Sequence, residues 1–352
     1  MKSRTWMWST AMCLFAALAI TVQTSAQSQM ITSDCPAKSK FTTFDPPGST
    51  YTIANSINAA GAITGYYVDA YGYRQGFLRA ADGTITTIDP PGSIYTNPSS
   101  INLWGAITGY YDDTYGQHGF LRAADGTFTT FDPPGSIGTF ANSINAAGAI
   151  TGWYGDASYT QHGFLRTADG TFTTIDPPGS TNTIANSINA AGAITGQYAD
   201  ASYNFHGFLR AADGSFTTVD PPGSIYYTNP SSINLWGAIT GYYQVLVPVG
   251  GRKPQIKAHG FLRARDGTFT TIDPPGSAKT IANDINLWGA ITGSYRDAGG
   301  THGFLRAADG TFTTIDPPGS IYTNPSSINL WGAITGWYDD ASYTQHGFLR
   351  SP

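Results

Sequence analysis

The chain contains no glutamate. All 23 acidic residues among its 352 are aspartate, and only six of the 18 basic ones are lysine. Glutamate and lysine are strong helix formers. Glycine, threonine, tyrosine, asparagine and proline stand in their place, so almost no helix is expected beyond the first residues. A glycosidase built on glutamate is excluded, although an aspartate pair stays open. The formal net charge is −5, and a mildly acidic chain lacks the basic footprint that nucleic acid requires. No GxSxG elbow, HExxH helix or phosphate loop occurs. Cysteine is nearly missing too. Cys13 sits in the leader without the small residues a lipoprotein site would want, and Cys35 is then alone, so no internal disulfide can form. Cys35 reads as a free thiol. The longest apolar stretch, Met12–Val22, is too short for a membrane span.

Residues 1–26 read as a secretory signal peptide. Lys2 and Arg4 supply the basic start, and Thr24-Ser25-Ala26 supplies small residues ahead of a cut before Gln27. The protein is therefore expected to be exported, either secreted or held at the cell surface or in the periplasm. Residues 27–40 read as a poorly ordered lead-in.

What fills the rest is one sentence written seven times. The core IN-x-x-GAITG starts at Ile57, Ile101, Ile144, Ile188, Ile233, Ile285 and Ile328. GFLR starts at Gly76, Gly119, Gly163, Gly207, Gly260, Gly303 and Gly347. DPPGS starts at Asp45, Asp89, Asp132, Asp176, Asp220, Asp273 and Asp316, with intervals of 43 or 44 residues and a single one of 53. The ends are incomplete in complementary ways. Phe41 to Asp45 is a bare FTTFD with no GFLR before it, and Gly347 to Arg350 is a GFLR with no FTTID after it. This arrangement suits a closed ring in which the N-terminal strand pairs into the last unit and leaves no open edge. A solenoid would want distinct polar caps.

Each copy holds four short extended segments parted by turn signals. In the second copy these are about Pro98 to Asn102, Ala106 to Tyr111, Gly119 to Ala123 and Thr127 to Asp132. Asn-Leu-Trp-Gly (Asn-Ala-Ala-Gly elsewhere) and Ala-Ala-Asp-Gly make tight hairpins, with glycine free to take positive φ. The two prolines of DPPGS remove two ladder donors, so this segment is the crossover. Phe128 and Phe131 fall on opposite faces, as do Ile107 and Tyr110, so both faces need cover. The expected fold is all-β, a seven-bladed β-propeller of four-stranded blades spanning 41–350.

The combined pattern SIN-x-x-G-x-ITGYY … HGFLR-x-x-DGT-x-TT-x-D, running from Phe41 to Arg350, resembles the HAF repeat of bacterial extracellular proteins. The triplet that gives that family its name is His-Gly-Phe here in six copies, and Gln75-Gly76-Phe77 in the first. The resemblance implies a secreted bacterial repeat protein of propeller type. It brings no assigned activity.

Residues present in every copy are spread around a ring and cannot converge on one substrate. His118, His162, His206, His259, His302 and His346 are therefore expected to contact Asp89, Asp132, Asp176, Asp220, Asp273 and Asp316 as scaffold, tying the third strand to the crossover. Asp112-Asp113 and Asp339-Asp340 could help hold calcium, but the doublet is not general, and plain solvated loop residues are the simpler reading. No catalytic group, cofactor or metal site is expected. What varies between copies points to recognition. Trp104, Trp236, Trp288 and Trp331 stand at hairpin tips, suited to stacking on a sugar ring or a protein, or else folded onto the next blade. Tyr95, Tyr115, Tyr159, Tyr203, Tyr322 and Tyr343 gather in the crossovers and loops of the opposite face. The fifth full copy carries a longer loop, Gln244 to His259, with Arg252, Lys253 and Lys257. The expected function is a monomeric, non-enzymatic scaffold that binds a glycan, cell surface or protein through repeated weak sites. A structural envelope component and an enzyme working at a channel mouth are the alternatives.

Overall fold

The computed structural model describes residues 40–249 and 252–352. The leader, most of the lead-in and Cys35 lie outside them. Among the described residues there are 28 strands and no helix.

Strand chemistry follows the repeat. In the second copy the strands are Tyr95–Ile101, Ile107–Asp112, Gln117–Arg122 and Phe128–Phe131, each antiparallel to the one before it. The first strand starts three residues earlier than the sequence suggests, because Tyr95 pairs with Asp112 across the hairpin. The first hairpin is set by one side chain. Asn102 accepts from the backbone N–H of Trp104 and of Ala106, both at 3.0 Å, through Oδ1, and Gly105 closes the turn at φ +87°. Gly109 has to be glycine because a Cβ there would collide with the Asn97 carbonyl, where the ladder shifts register between Pro98 and Ser100. The crossover is a Pro-Pro-Gly-Ser turn in which Ser136 N–H donates to the Pro133 carbonyl at 3.1 Å, with Gly135 at φ +82°.

Three four-stranded sheets stand alone, and two eight-stranded ones are pairs of four-stranded units. Single parallel pairings join them, Gly138 with Gln117 and Thr301 with Tyr322. The first strand of the chain, Phe41–Phe44, pairs antiparallel with the last, Gln345–Arg350, matching Phe41 to Arg350 and Phe44 to Gly347.

The core lies between sheets. Ile107, Tyr111 and Phe120 pack with Ile88 and Leu78 of the preceding copy, and Phe128 joins them. Phe131, from the other face of the same sheet, packs with Ile144, Ile150 and Phe164 of the following copy. Two-sided cover is what the alternation of Phe128 and Phe131 demands. Seven such clusters occur among the described residues, and one of them sets Ala333 and Leu349 of the last copy against Ile57, Ile63 and Phe77 of the first.

A chain of amides joins the innermost strands. Asn58 Nδ2 donates to the carbonyl of Asn102, Asn102 to Asn145, Asn145 to Asn189, Asn189 to Asn234, Asn234 to Asn286 and Asn286 to Asn329. Asn329 donates in turn to the carbonyl of Asn58 at 3.1 Å. All seven asparagines are buried, so one residue type shapes its own turn and ties it to the next copy.

Within the segment from Gln244 to His259, read from the sequence as a loop, residues 244–249 and 252–259 are strand. The strands Ile239–Val249 and Arg252–Arg263 continue the ladder outward, pairing Val245 with Lys257 and Leu246 with Ile256. Alternating valines from Val245 to Val249 fit an extended strand.

Candidate functional site

The repeated polar groups are spoken for by the scaffold. Six histidines reach a crossover aspartate through Nδ1 at 2.5–2.7 Å. The pairings are His118 with Asp132, His162 with Asp176, His206 with Asp220, His259 with Asp273 and His302 with Asp316. His346 pairs instead with Asp45, 301 residues away. Asp89 has no histidine, because the first copy carries Gln75. Its Oδ1 accepts from Gly76 N–H at 2.9 Å, and burial raises its pKa. Five of the histidines also meet a loop aspartate through Nε2 at 3.3–3.5 Å: Asp113, Asp156, Asp200, Asp297 and Asp340. Burial opposes charging these rings, but hydrogen bonds and charge from the two aspartates outweigh it. The pKa values of His118, His162, His206, His302 and His346 stand above the ordinary histidine value. Each pair is local to its own sheet.

The members of the aspartate doublets do not act together. Asp113 Oδ1 accepts from the N–H groups of Tyr115 and Gly116, while Asp112 Oδ1 is buried without a hydrogen-bond partner. Among the described residues no group of three or more His, Cys, Asp or Glu is arranged to hold a metal ion.

Aromatic rings stand at both ends of the sheets. Trp104, Trp236, Trp288 and Trp331 each lie two residues after a ring asparagine, and their side chains are 56–70% exposed. The amide chain gathers these turns at one end of the molecule. Trp104 also donates from Nε1 to the Ala146 carbonyl of the next copy at 3.0 Å, so it leans across its neighbour while staying open to solvent. Trp236 and Leu235 wall a cavity of 570 Å³ with Ala191, Ala212 and Arg265. The second copy and three consecutive ones, the fifth to the seventh, carry these tryptophans. Among the copies that lack them, the turn closes equally well on Ala-Ala.

At the opposite end Tyr115, Tyr159, Tyr203 and Tyr343 are 73–91% exposed. Three of them are held where side chains are rarely found, Tyr159 at φ 62°, Tyr203 at 61° and Tyr343 at 62°. The first copy places Gly72 at the same point of the loop, at φ +87°. A bulky residue there costs about 1–2 kcal/mol relative to a relaxed backbone, and these rings bury almost nothing in return. Tyr95 is partly exposed and lies 6.3 Å from Tyr73. Tyr322 differs from the expectation of a loop residue: it belongs to the strand Ser320–Ile328 and stacks on Trp337 at 5.1 Å and 13°. Leu246 and Ile256 on the extended hairpin are exposed as well.

One departure near the innermost strands escapes a reading of motifs. Asp284 replaces the serine of the other six copies. It is half-buried, and burial raises its pKa against the bonds it accepts from Ile328 and Ile285 N–H and from Ser232 and Ser327 hydroxyls at 2.7–2.9 Å. The signal was present as DIN in place of SIN.

No family model matches the chain, and no curated protein matches it. Solved structures do. A streptogramin B lyase is 14% identical over 89% of this chain and 98% of its own, with a TM-score of 0.54. Virginiamycin B lyase from Staphylococcus aureus is 13% identical over 90% and 100%, with a TM-score of 0.58. The β-propeller domain of the Trilobed protease from Pyrococcus furiosus is 8% identical over 86% and 96%, again at 0.58. At such identities the likeness carries the fold alone. This chain is an all-β protein of the β-propeller fold.

Proposed function

We propose that the protein is a seven-bladed propeller, closed by its first strand, that serves as a secreted non-enzymatic scaffold for multivalent recognition of a glycan or protein surface. The HAF-type resemblance belongs to this reading, as does export by the leader. Closure is supported by the pairing of Phe41–Phe44 with Gln345–Arg350 and by the bond from Asn329 back to Asn58. Recognition is carried by one observation. Exposed aromatic rings occupy turn positions that sister copies fill with alanine or glycine, so the fold does not require them. Aromatic faces on a rigid frame suit stacking against sugar rings or apolar partner surfaces, and several on one ring add by linkage.

The test replaces Trp104, Trp236, Trp288 and Trp331 by alanine one at a time and measures binding to an immobilised polyvalent glycan. Graded losses with an unchanged melting temperature are expected. A collapse of folding from any single change would place the ring between blades and end its part in binding. Replacing Tyr159 by glycine should raise stability by about 1 kcal/mol through relief of the backbone, and any loss of binding from it would bring the tyrosine end into the site.

A further inference from the structure

At the end opposite the tryptophans, a cleft of 440 Å³ opens between the first and second copies, within the range of about 300–1,000 Å³ common for small-molecule sites. Tyr51 and Arg74 line it from one side, and Tyr95, Tyr110, Asp112 and Gln117 from the other. The walls are fixed. Asn55 Nδ2 donates to Asn97 Oδ1 at 3.1 Å, and Asn97 Nδ2 donates to the Tyr110 hydroxyl at 2.7 Å. The Arg74 guanidinium lies 4.4 Å over the ring of Tyr66.

Two residues of this lining each hold a buried atom with no hydrogen-bond partner among the described residues: Arg74 its Nε, a donor, and Asp112 its Oδ1, an acceptor. Leaving each unsatisfied costs about 1–3 kcal/mol. The fold needs neither residue. The second, third and seventh copies hold Gln117, Gln161 and Gln345 where the first holds Arg74, and Val68, Gly155 and Ala199 stand where the second holds Asp112. One half of the arrangement recurs. Between the sixth and seventh copies, Lys279, Arg296 and Tyr322 line a smaller cleft of 180 Å³, and Asp339, the counterpart of Asp112, again has Oδ1 buried and unpartnered. An aspartate occupies this position in two copies, and in both the preceding copy lines the adjoining cleft with a cation, although Asp339 itself does not line the smaller one.

We propose that the cleft between the first and second copies binds a neutral saccharide. A sugar hydroxyl both donates and accepts, so neighbouring hydroxyls can bond the Arg74 guanidinium and the Asp112 carboxylate, which line the cleft together. The phenol rings of Tyr51, Tyr95 and Tyr110 supply surfaces for the C–H face. A carboxylate ligand would meet Asp112 and an ammonium would meet Arg74, so a charged ligand gains from one group and loses to the other. This site stands apart from the exposed tryptophans and does not depend on them.

Saturation-transfer NMR and calorimetry on the full-length chain test it. The probes are glucose, galactose, mannose, N-acetylglucosamine and cellobiose, with glucuronate and glucosamine as charged comparators. A neutral sugar should bind and both charged ones should bind more weakly. Arg74→Gln and Asp112→Ala, each a residue that a sister copy already carries, should weaken binding tenfold or more without lowering the melting temperature. Binding to none of the neutral probes, preference for glucuronate or glucosamine, or full affinity in both variants would each overturn the assignment.

Discussion

A histidine between two aspartates is repeated here as a brace within its own sheet. His162 lies 2.7 Å from Asp176 and 3.5 Å from Asp156, and the same trio recurs in four other copies. Its consequence is pH-dependent stability. The folded pKa is raised, so the pair's stabilisation is complete below the ordinary histidine value, about 6.5, and fades as pH rises through the folded one. His162→Gln, which copies Gln75 of the first repeat, is expected to lower stability by about 1 kcal/mol at pH 6, since the pair is partly exposed. The loss should shrink at pH 8.5. Denaturant melts at the two pH values check this, and an equal loss at both would show that charge has no part in it. Asp284 carries the same sign for another reason. Burial raises its folded pKa, so its favourable contribution belongs to acid and is lost as pH rises. Asp284→Ser restores the residue of the other six copies, four of which, Ser56, Ser100, Ser143 and Ser187, accept from the next isoleucine N–H. The melting temperature of Asp284→Ser relative to the parent should climb between pH 4 and pH 8, and a falling difference would refute the assignment.

At the level of elements, the strand Phe41–Phe44 does more than its four residues suggest. It supplies the fourth strand of the last sheet, the Asp45 partner of His346, and Phe44, which packs with the first copy. Arg79 of the first copy lies 5.1 Å over the Phe44 ring. Deleting residues 41–45 should therefore expose a sheet edge and open the contact between the first and last copies, giving strong destabilisation or aggregation. Melting and light scattering on the truncated chain decide it, and a parent-like melt would sink closure. The hairpin ending at Val249 and Arg252 is the opposite case, since it extends one sheet outward and joins no neighbour's amide chain.

Across the whole molecule, the repeat sets how the proposed recognition would work. Similar turns placed around one frame offer several weak contacts, none of which needs to be strong. A polyvalent target should bind far more tightly than its monovalent unit, by a factor on the order of 10² or more where geometry lets several turns engage. Comparing a soluble monovalent glycan with the same glycan on a polymer checks this at the tryptophan end. Equal affinities would mean that a single turn carries all of the binding.

Much of this architecture was legible in the sequence because each copy solves its folding problem locally. Asn-x-x-Gly dictates a hairpin, Pro-Pro-Gly-Ser a crossover, and paired apolar faces a sheet covered on both sides. The His–Asp register also follows, since strand pairing counted back from the Ala-Ala-Asp-Gly turn puts His118 against Asp132. Other features needed the assembled structure. The amide chain through Asn58, Asn102 and their counterparts depends on distances between copies, which no local pattern encodes. Positive φ at Tyr159, Tyr203 and Tyr343 is a property of loop closure. The continuation of Val245–Val249 as a strand depended on pairing with Arg252–Lys257, a polar segment interrupted by Pro254 that does not read as a strand by itself. Asp112 reads as an exposed loop residue until the neighbouring copy covers it. The sequence by itself determined the turns, strands and repeat, because those forces act over a few residues. Only the tertiary structure decided which polar atoms are buried between copies, because burial depends on what a sheet some 44 residues away brings against them.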